Sequence, residues 1–126
     1  MVGFVIVSHS ARLAEGVVDL ARMMASETPI AAAGGLEDGS FGTSFEKISN
    51  AIDAVYSDDG VIVLMDMGSA VMTAEMVIET MEGRKIVMAD CPIVEGAVTG
   101  TVSAESGSSL EEILEDLEQV GTQKKL

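Results

Sequence analysis

The chain contains a single histidine, His9, and its place in the sequence suggests a chemical role. The residues before it, Phe4 to Val7, are all apolar, which is typical of a parallel strand covered on both faces. A helical pattern starts directly after the turn that holds His9. Ligands in open α/β folds bind where strands end and helices begin. His9 is therefore the first candidate functional residue.

Three other segments have the same strand-to-helix character. They are expected to meet His9 at the carboxyl edge of a sheet: loop 34–43, turn 66–69 and turn 90–92. A carboxylate that binds one ring N–H of an imidazole fixes its tautomer and leaves the other nitrogen free to attack. We choose Asp66 for this role, because its strand is expected to lie beside the first strand.

The same edge of the sheet is suited to an anion. Imidazole is partly uncharged, and so nucleophilic, near neutral pH, since its reference pKa is about 6.5. Helix N-termini and glycine-rich backbone stabilise bound anions. Together these features predict a histidine that carries a phosphoryl group. The groups expected to hold its oxygens are backbone N–H groups and hydroxyls of Ser10, Gly34, Gly35, Thr43 and Ser69.

Each of these residues also has a simpler interpretation. A histidine in a turn is often only a polar surface residue, and loop glycines often serve only the turn. Asp66, Asp90 and Ser69 are also suitable helix caps. Cys91 is most simply an inert buried thiol, and Arg12 is either a partner for a phosphoryl group or a solvated surface charge. The convergence of several turns favours the functional interpretation.

Hydrophobic periodicity predicts the element order β-α-β-α-β-α-β-α-α. The fold class is therefore α/β, a three-layer sandwich with a central, mostly parallel sheet and helices on both faces. Residues 1–120 are expected to form one domain, and residues 121–126 a flexible tail. The predicted strands are 4–7, 30–33, 61–65 and 85–89, and the predicted helices include 11–25, 92–104 and 110–120.

Several details of the helices follow from local signals. The first helix is predicted to pack through an apolar face of Leu13, Val17, Leu20, Ala21 and Met24. A capping box from Thr43 to Glu46 is expected to open the second helix, and Gly83 to end the third. The helix after Pro92 contains Gly96, Gly100 and β-branched residues, so it needs close packing to form.

Composition excludes several classes of function. With 21 acidic and 7 basic residues the net charge is -14, which argues against binding to nucleic acid or to anionic membrane surfaces. No apolar run is long enough to span a membrane, and no secretion signal is visible. Cys91 is the only cysteine, so a cytoplasmic location is expected. No cluster of ligands predicts a metal site.

Four motifs occur in an order that resembles one family over nearly the whole chain, to about residue 120: IVSHSARLAEG, GG-x-EDGSFGTS, DMGSA with Glu75 after it, and D-x-P-x-VEGA. The chain resembles the phosphocarrier subunits of phosphotransferase-dependent dihydroxyacetone kinases. These are related to the mannose-type IIA domains of the sugar phosphotransferase system. The VSHS and DMGSA motifs favour the dihydroxyacetone branch over the mannose transporter branch.

This resemblance implies a parallel sheet between helices, and a homodimer. It implies that His9 accepts a phosphoryl group from HPr, with Asp66 as its partner and Thr43 and Ser69 in the matching loops. His9 would pass the group to ADP on the DhaL subunit, and the ATP formed would phosphorylate dihydroxyacetone on DhaK. The chain itself would need no cofactor, since ADP/ATP and Mg²⁺ belong to the partner. Some relatives carry HPr-like and enzyme I-like domains; here phosphate is expected from separate proteins.

Two alternatives remain open. The chain is also suited to be the IIA component of a mannose-class sugar transporter, which would pass phosphate to a IIB protein. A second alternative is a non-catalytic regulatory module that binds partners through the same acidic edge. A response-regulator receiver, a flavin binder and a serine hydrolase are disfavoured, because their acidic cluster, phosphate loop and G-x-S-x-G turn are missing.

Overall fold

The computed structural model describes residues 1–126 and confirms the α/β class. The elements are β1 (Gly3–Ser8), α1 (Ala11–Met24), β2 (Ile30–Gly34), α2 (Phe45–Val55), β3 (Val61–Met65), α3 (Ser69–Glu79), β4 (Ile86–Ala89), α4 (Ile93–Glu105) and α5 (Leu110–Val120). None of these helices has the length and apolar character needed to cross a membrane.

The four strands are all parallel, in the order β2-β1-β3-β4. The chain leaves β1 towards β2 on one side and then returns to form β3 on the other side. Neighbouring strands whose connections leave in opposite directions form a topological switch point, where open α/β sheets bind ligands. Val7 of β1 pairs with Met65 of β3. His9 and Asp66 therefore both lie just beyond the carboxyl ends of these two central strands.

Two separate cores cover the two faces of the sheet. Phe4 and Ile6 of β1 point into the core shared with α1, α4 and α5. Val5 and Val7 point into the core shared with α2 and α3. Successive side chains of a strand alternate between faces, so a strand buried on both faces is apolar throughout. This is why no polar residue interrupts β1 before its last position.

The packed face of α1 differs from the predicted one. Leu13, Leu20 and Met24 are exposed, whereas the buried residues are Ala14, Val17, Val18 and Ala21. Both sets satisfy helical spacing. The observed set has smaller side chains, which allow the helix axis to approach the sheet closely. Val17 and Ala21 are therefore buried as predicted, whereas a ranking by hydrophobicity wrongly adds the larger residues Leu13, Leu20 and Met24.

Two predicted helix ends are also corrected. Ser44, and not Thr43, is the N-cap of α2, since its Oγ accepts a hydrogen bond from Lys47 N at 3.1 Å. The third helix ends at Glu79 with Thr80 as its C-cap, and Gly83 lies in the following turn with a φ of +86°. Serine also caps two other helices, Ser10 at α1 and Ser109 at α5.

The glycines of α4 explain how an intrinsically poor helix is stabilised. A Cβ added to Gly96 would lie 2.5 Å from Cys91 Sγ. A Cβ added to Gly100 would lie 2.7 Å from Cε2 of Phe4. Since Phe4 is fully buried in β1, the second contact is between α4 and the centre of the sheet. The close packing of α4 on the sheet, which its glycines allow, therefore compensates for the low helix propensity of this segment.

Replacing Gly100 by alanine tests this packing. The change gains roughly 1 kcal/mol of helix propensity, but forcing a methyl group against a buried aromatic ring costs about 1–3 kcal/mol. We expect Gly100→Ala to lower the free energy of unfolding, measured by urea titration. Gly16→Ala is the matched control in α1, where a Cβ meets nothing within 4 Å, and it should stabilise the protein. Equal stabilisation by both variants would contradict this account.

Candidate functional site

The carboxylate of Asp66 is held by four hydrogen-bond donors, two on each oxygen. Oδ1 accepts from the ring nitrogen Nδ1 of His9 at 3.0 Å and from the backbone N–H of Met67 at 2.7 Å. Oδ2 accepts from the backbone N–H of His9 at 3.0 Å and from Ser8 Oγ at 2.9 Å. These donors come from the last residue of β1 and from the turns after β1 and β3. The switch point thus joins the predicted pair.

Charge on Asp66 fixes the tautomer of the histidine. Burial alone would raise the pKa of Asp66, but the hydrogen bonds from His9, Ser8 and Met67 outweigh it, and the pKa lies below its ordinary value. Asp66 is therefore ionised at neutral pH, and an ionised carboxylate can only accept. The proton between the two side chains belongs to Nδ1, so Nε2 of the neutral ring has the free lone pair.

The free nitrogen faces the start of α3. Nε2 of His9 lies 2.8 Å from Ser69 Oγ, and 30% of the His9 side chain is exposed, so a partner can reach it. Ser69 is the first residue of α3, and no side chain caps this helix. The N-cap residue Gly68 has a φ of +55°, which a residue with a Cβ rarely adopts. An uncapped helix N-terminus next to a nucleophile is suited to bind an anion.

The glycine-rich loop 34–43 packs against the turn that holds His9 and forms backbone hydrogen bonds with it. The buried Gly35 donates its N–H to Ser8 O at 3.1 Å, and Gly42 donates to His9 O at 2.9 Å. Gly34 is the last residue of β2, and a Cβ there would lie 2.5 Å from Ser10 O. These glycines allow close approach of the loop to the turn. The predicted N–H group of Gly35 is thus bound to Ser8 O and not directed at Nε2.

Of the two other hydroxyls predicted to bind the phosphoryl group, that of Thr43 lies near His9 Nε2 and that of Ser10 lies at the start of α1. Ser10 caps α1: its Oγ accepts from Leu13 N at 3.2 Å, and its backbone N–H donates to Ser8 Oγ at 3.0 Å. Thr43 lies at the site, with Oγ1 3.3 Å from Ser69 Oγ and 3.1 Å from Thr73 Oγ1. Of the predicted residues, the structure thus brings Asp66, Ser69 and Thr43 together around His9.

The fourth predicted turn, 90–92, does not join this cluster. It follows the edge strand β4, which is two strand spacings, or about 10 Å, from β1. Asp90 is exposed and forms no hydrogen bond with His9. Burial, together with the charges of Asp90 and Glu95, raises the pKa of Cys91 to about 11. A thiol in this environment is unreactive, in agreement with the simpler interpretation of Cys91.

Sequence reasoning missed two polar residues of the site, Ser8 and Thr73. Ser8 is fully buried at the end of β1 and donates to Asp66. Its position as the one hydroxyl residue at the end of an apolar strand is the sequence feature that could have indicated this role. Thr73 lies four residues after Ser69 on α3, and residues at this spacing share one face of a helix. No group of three or more histidine, cysteine, aspartate or glutamate side chains is arranged to hold a metal ion.

With this geometry established, the chain can be compared with known proteins. Residues 3–114 match the EIIA-man family, described as the PTS system fructose IIA component. The chain belongs to this family. It is 42% identical over 123 residues to the PEP-dependent dihydroxyacetone kinase phosphoryl donor subunit DhaM of Escherichia coli K12, matching 92% of this chain but 26% of that protein. The chain thus spans about a quarter of that relative's length.

Shorter relatives match from end to end. The phosphotransferase subunit DhaM of the PTS-dependent dihydroxyacetone kinase from Lactococcus lactis IL1403 is 38% identical, over 97% of this chain and 98% of that protein. The resemblance predicted from the four motifs is therefore confirmed.

Solved structures show the same fold. A protein of unknown function matches with a TM-score of 0.88 and 29% identity, over 99% of this chain and 98% of that chain. A phosphotransferase system component EIIA from Streptococcus agalactiae matches with a TM-score of 0.73 over 97% of this chain and 93% of that chain. At 13% identity, the second match supports the fold alone.

The tautomer of His9 can be measured directly, because it is the only histidine. In protein labelled with ¹⁵N-histidine, we expect the neutral ring to show a protonated Nδ1 and an unprotonated Nε2. Asp66→Ala should abolish this preference, because it removes the acceptor for Nδ1. Asp116→Ala, a carboxylate on α5 away from the site, is the matched control and should leave the spectrum unchanged. A wild-type ring protonated at Nε2 would show that Asp66 does not orient it.

Proposed function

We propose that the chain is a phosphohistidine carrier in which Nε2 of His9 accepts a phosphoryl group from HPr. It then passes the group to ADP bound on DhaL, and so supports phosphoenolpyruvate-dependent phosphorylation of dihydroxyacetone on DhaK. The observation that carries the proposal is the pair of contacts to the ring. Asp66 binds Nδ1, while Nε2 points at the uncapped start of α3. The names of the relatives, as donor subunits of dihydroxyacetone kinases, agree with it.

The chemistry follows from this arrangement. The Nε2 lone pair attacks phosphorus in line with the departing nitrogen of the donor, through a loose transition state. The ring becomes positively charged as the N–P bond forms, and the carboxylate of Asp66 stabilises that charge through Nδ1. The hydroxyl and the backbone N–H of Ser69, at the start of α3, receive the phosphoryl oxygens, since the N–H groups of Ala70 and Val71 already donate to Met67 O and Gly68 O. The protein contributes mainly positioning and electrostatic stabilisation.

In the transfer to the nucleotide, the N–P bond at Nε2 breaks, its electron pair stays with the ring, and an oxygen of ADP forms the new O–P bond. The carrier gives the phosphoryl group to ADP on the partner, so ADP/ATP and Mg²⁺ belong to DhaL and the chain has no cofactor of its own. These partners place the carrier in the cytoplasm.

The free edges of the sheet support a homodimer. On β2, the carbonyls of Ile30 and Gly34 accept hydrogen bonds from Arg22 Nη2 at 3.1 Å and Lys47 Nζ at 3.0 Å. Side chains therefore protect this edge from pairing with another strand. No side chain binds the backbone of the other edge strand, β4, whose residues are apolar and whose first three, Ile86, Val87 and Met88, are only partly buried. A second copy covering β4 would bury this edge.

Phosphoryl transfer from phosphoenolpyruvate, enzyme I and HPr tests the proposal. Wild-type protein should acquire one phosphohistidine, at Nε2 of His9, and lose it to ADP-loaded DhaL. His9→Ala should accept nothing and remain folded. Asp66→Asn should slow acceptance by about tenfold or more, because the ring loses its tautomer and charge partner. Label and release would be measured with ³²P and peptide mapping.

The same experiment separates the alternatives. Asp19→Asn removes a carboxylate from the outer part of α1 and should transfer at the wild-type rate. A His9→Ala protein that is still labelled on histidine would exclude His9 as the carrier. Transfer to a IIB protein in preference to DhaL would assign the chain to a mannose-class transporter. If no phosphohistidine forms, a regulatory module is the better description.

A further inference from the structure

Three hydroxyl groups form a continuous chain that ends at the reactive nitrogen. Ser69 Oγ lies 2.8 Å from His9 Nε2, Thr43 Oγ1 lies 3.3 Å from Ser69 Oγ, and Thr73 Oγ1 lies 3.1 Å from Thr43 Oγ1. Thr73 and Ser69 are on α3, and Thr43 belongs to the loop before α2. No other hydrogen bond of the Thr73 side chain is present. The chain therefore has one end at Nε2 and the other at Thr73.

The direction of every bond in this chain follows from the histidine tautomer. Nε2 of the neutral ring has a lone pair and no proton, so it can only accept, and Ser69 must donate to it. A hydroxyl has one proton, so Ser69 can form its second bond only as an acceptor, from Thr43. By the same reasoning Thr43 accepts from Thr73. All three protons therefore point towards the ring.

We propose that Thr73 is a positioning residue of the phosphoryl site, which acts through Thr43 to hold the Ser69 hydroxyl with its proton directed at His9 Nε2. Ser69 is exposed and at the first position of a helix, where its side chain would otherwise rotate freely. Thr43, in the loop before α2, and Thr73, in α3, are both half-buried. They can therefore fix the orientation that Ser69 alone cannot keep.

This inference rests on the proposed function, in which it prepares the donor that the phosphoryl group meets. The bond between phosphorus and the imidazole nitrogen of the donor protein breaks, and its electron pair stays with that nitrogen. The Nε2 lone pair forms the new N–P bond and can no longer accept a hydrogen bond. The Ser69 hydroxyl then turns to one phosphoryl oxygen. No proton leaves a hydroxyl, and Thr43 and Thr73 keep their bond directions.

Removal and restoration of one hydroxyl test the role of Thr73. Thr73→Val deletes the hydroxyl at nearly constant volume, whereas Thr73→Ser keeps it. We expect Thr73→Val to slow acceptance from phosphorylated HPr about three- to tenfold, as loss of one neutral hydrogen bond predicts, and Thr73→Ser to restore it. The ¹⁵N shift of Nε2 in unphosphorylated protein should change in Thr73→Val and return in Thr73→Ser. Thr99→Val, on α4, should match wild type in both.

The two readouts separate this inference from the function on which it rests. If wild-type protein is not phosphorylated, the proposed function fails, while the ¹⁵N shift still decides whether Thr73 acts on Nε2. A folded Thr73→Val protein with wild-type rate and wild-type shift would overturn the inference. Loss of stability that Thr73→Ser does not rescue would also overturn it, as a purely structural effect. If Thr73→Val does not fold, Thr43→Val breaks the same chain one hydroxyl nearer to the ring.

Discussion

The carboxylate of Asp66 is the interaction on which the rest of the site depends. Four donors saturate its two oxygens, and three of them are held by backbone or by the buried Ser8. Only the fourth, Nδ1 of His9, belongs to a ring that can rotate. The position of the Asp66 carboxylate is therefore set by these three donors, and the carboxylate in turn sets the orientation of the His9 ring. A carboxylate with fewer partners would be more mobile and would hold the ring in a less defined orientation.

The topology of the sheet is what makes this arrangement possible. Asp66 follows β3 and His9 follows β1, and these strands are neighbours only because β2 was placed on the far side of β1. Their connecting helices cover opposite faces, so the two turns are left open to each other. The buried, fully apolar strands hold the turns in register, through pairs such as Val7 with Met65. The buried pairs between β1 and β3 therefore both stabilise the fold and position the His9 and Asp66 turns.

Local sequence patterns were sufficient for the elements and for the central pair. Apolar runs and turn residues gave the order of strands and helices, and the end of each strand gave the position of His9 and Asp66. The packed face of α1 was not predictable in this way, since Leu13 and Ala14 both satisfy helical spacing and only the distance to the sheet selects alanine. The cap of α2 was misplaced by one residue because Thr43 and Ser44 are both good caps.

The glycines were the least predictable part of the site, for a physical reason. A glycine-rich loop beside a candidate nucleophile is compatible with anion binding and with close packing, and the sequence is the same in both cases. The structure distinguishes them by where the N–H groups go: that of Gly35 is bound to Ser8 O. Glycine is instead needed for geometry at Gly68, whose positive φ begins α3 without a capping side chain.

A side-chain cap on α3 would compete with a phosphoryl group for the first N–H groups of that helix. Helices α1, α2 and α5 each have a serine cap, but the start of α3 has glycine in that position. Ala70 and Val71 donate their N–H groups to Met67 O and Gly68 O, so the N–H of Ser69 is the group at this helix end that is left without an acceptor within the chain. Such an end gains stabilisation from an anion, which agrees with a site that is completed only when the carrier is phosphorylated.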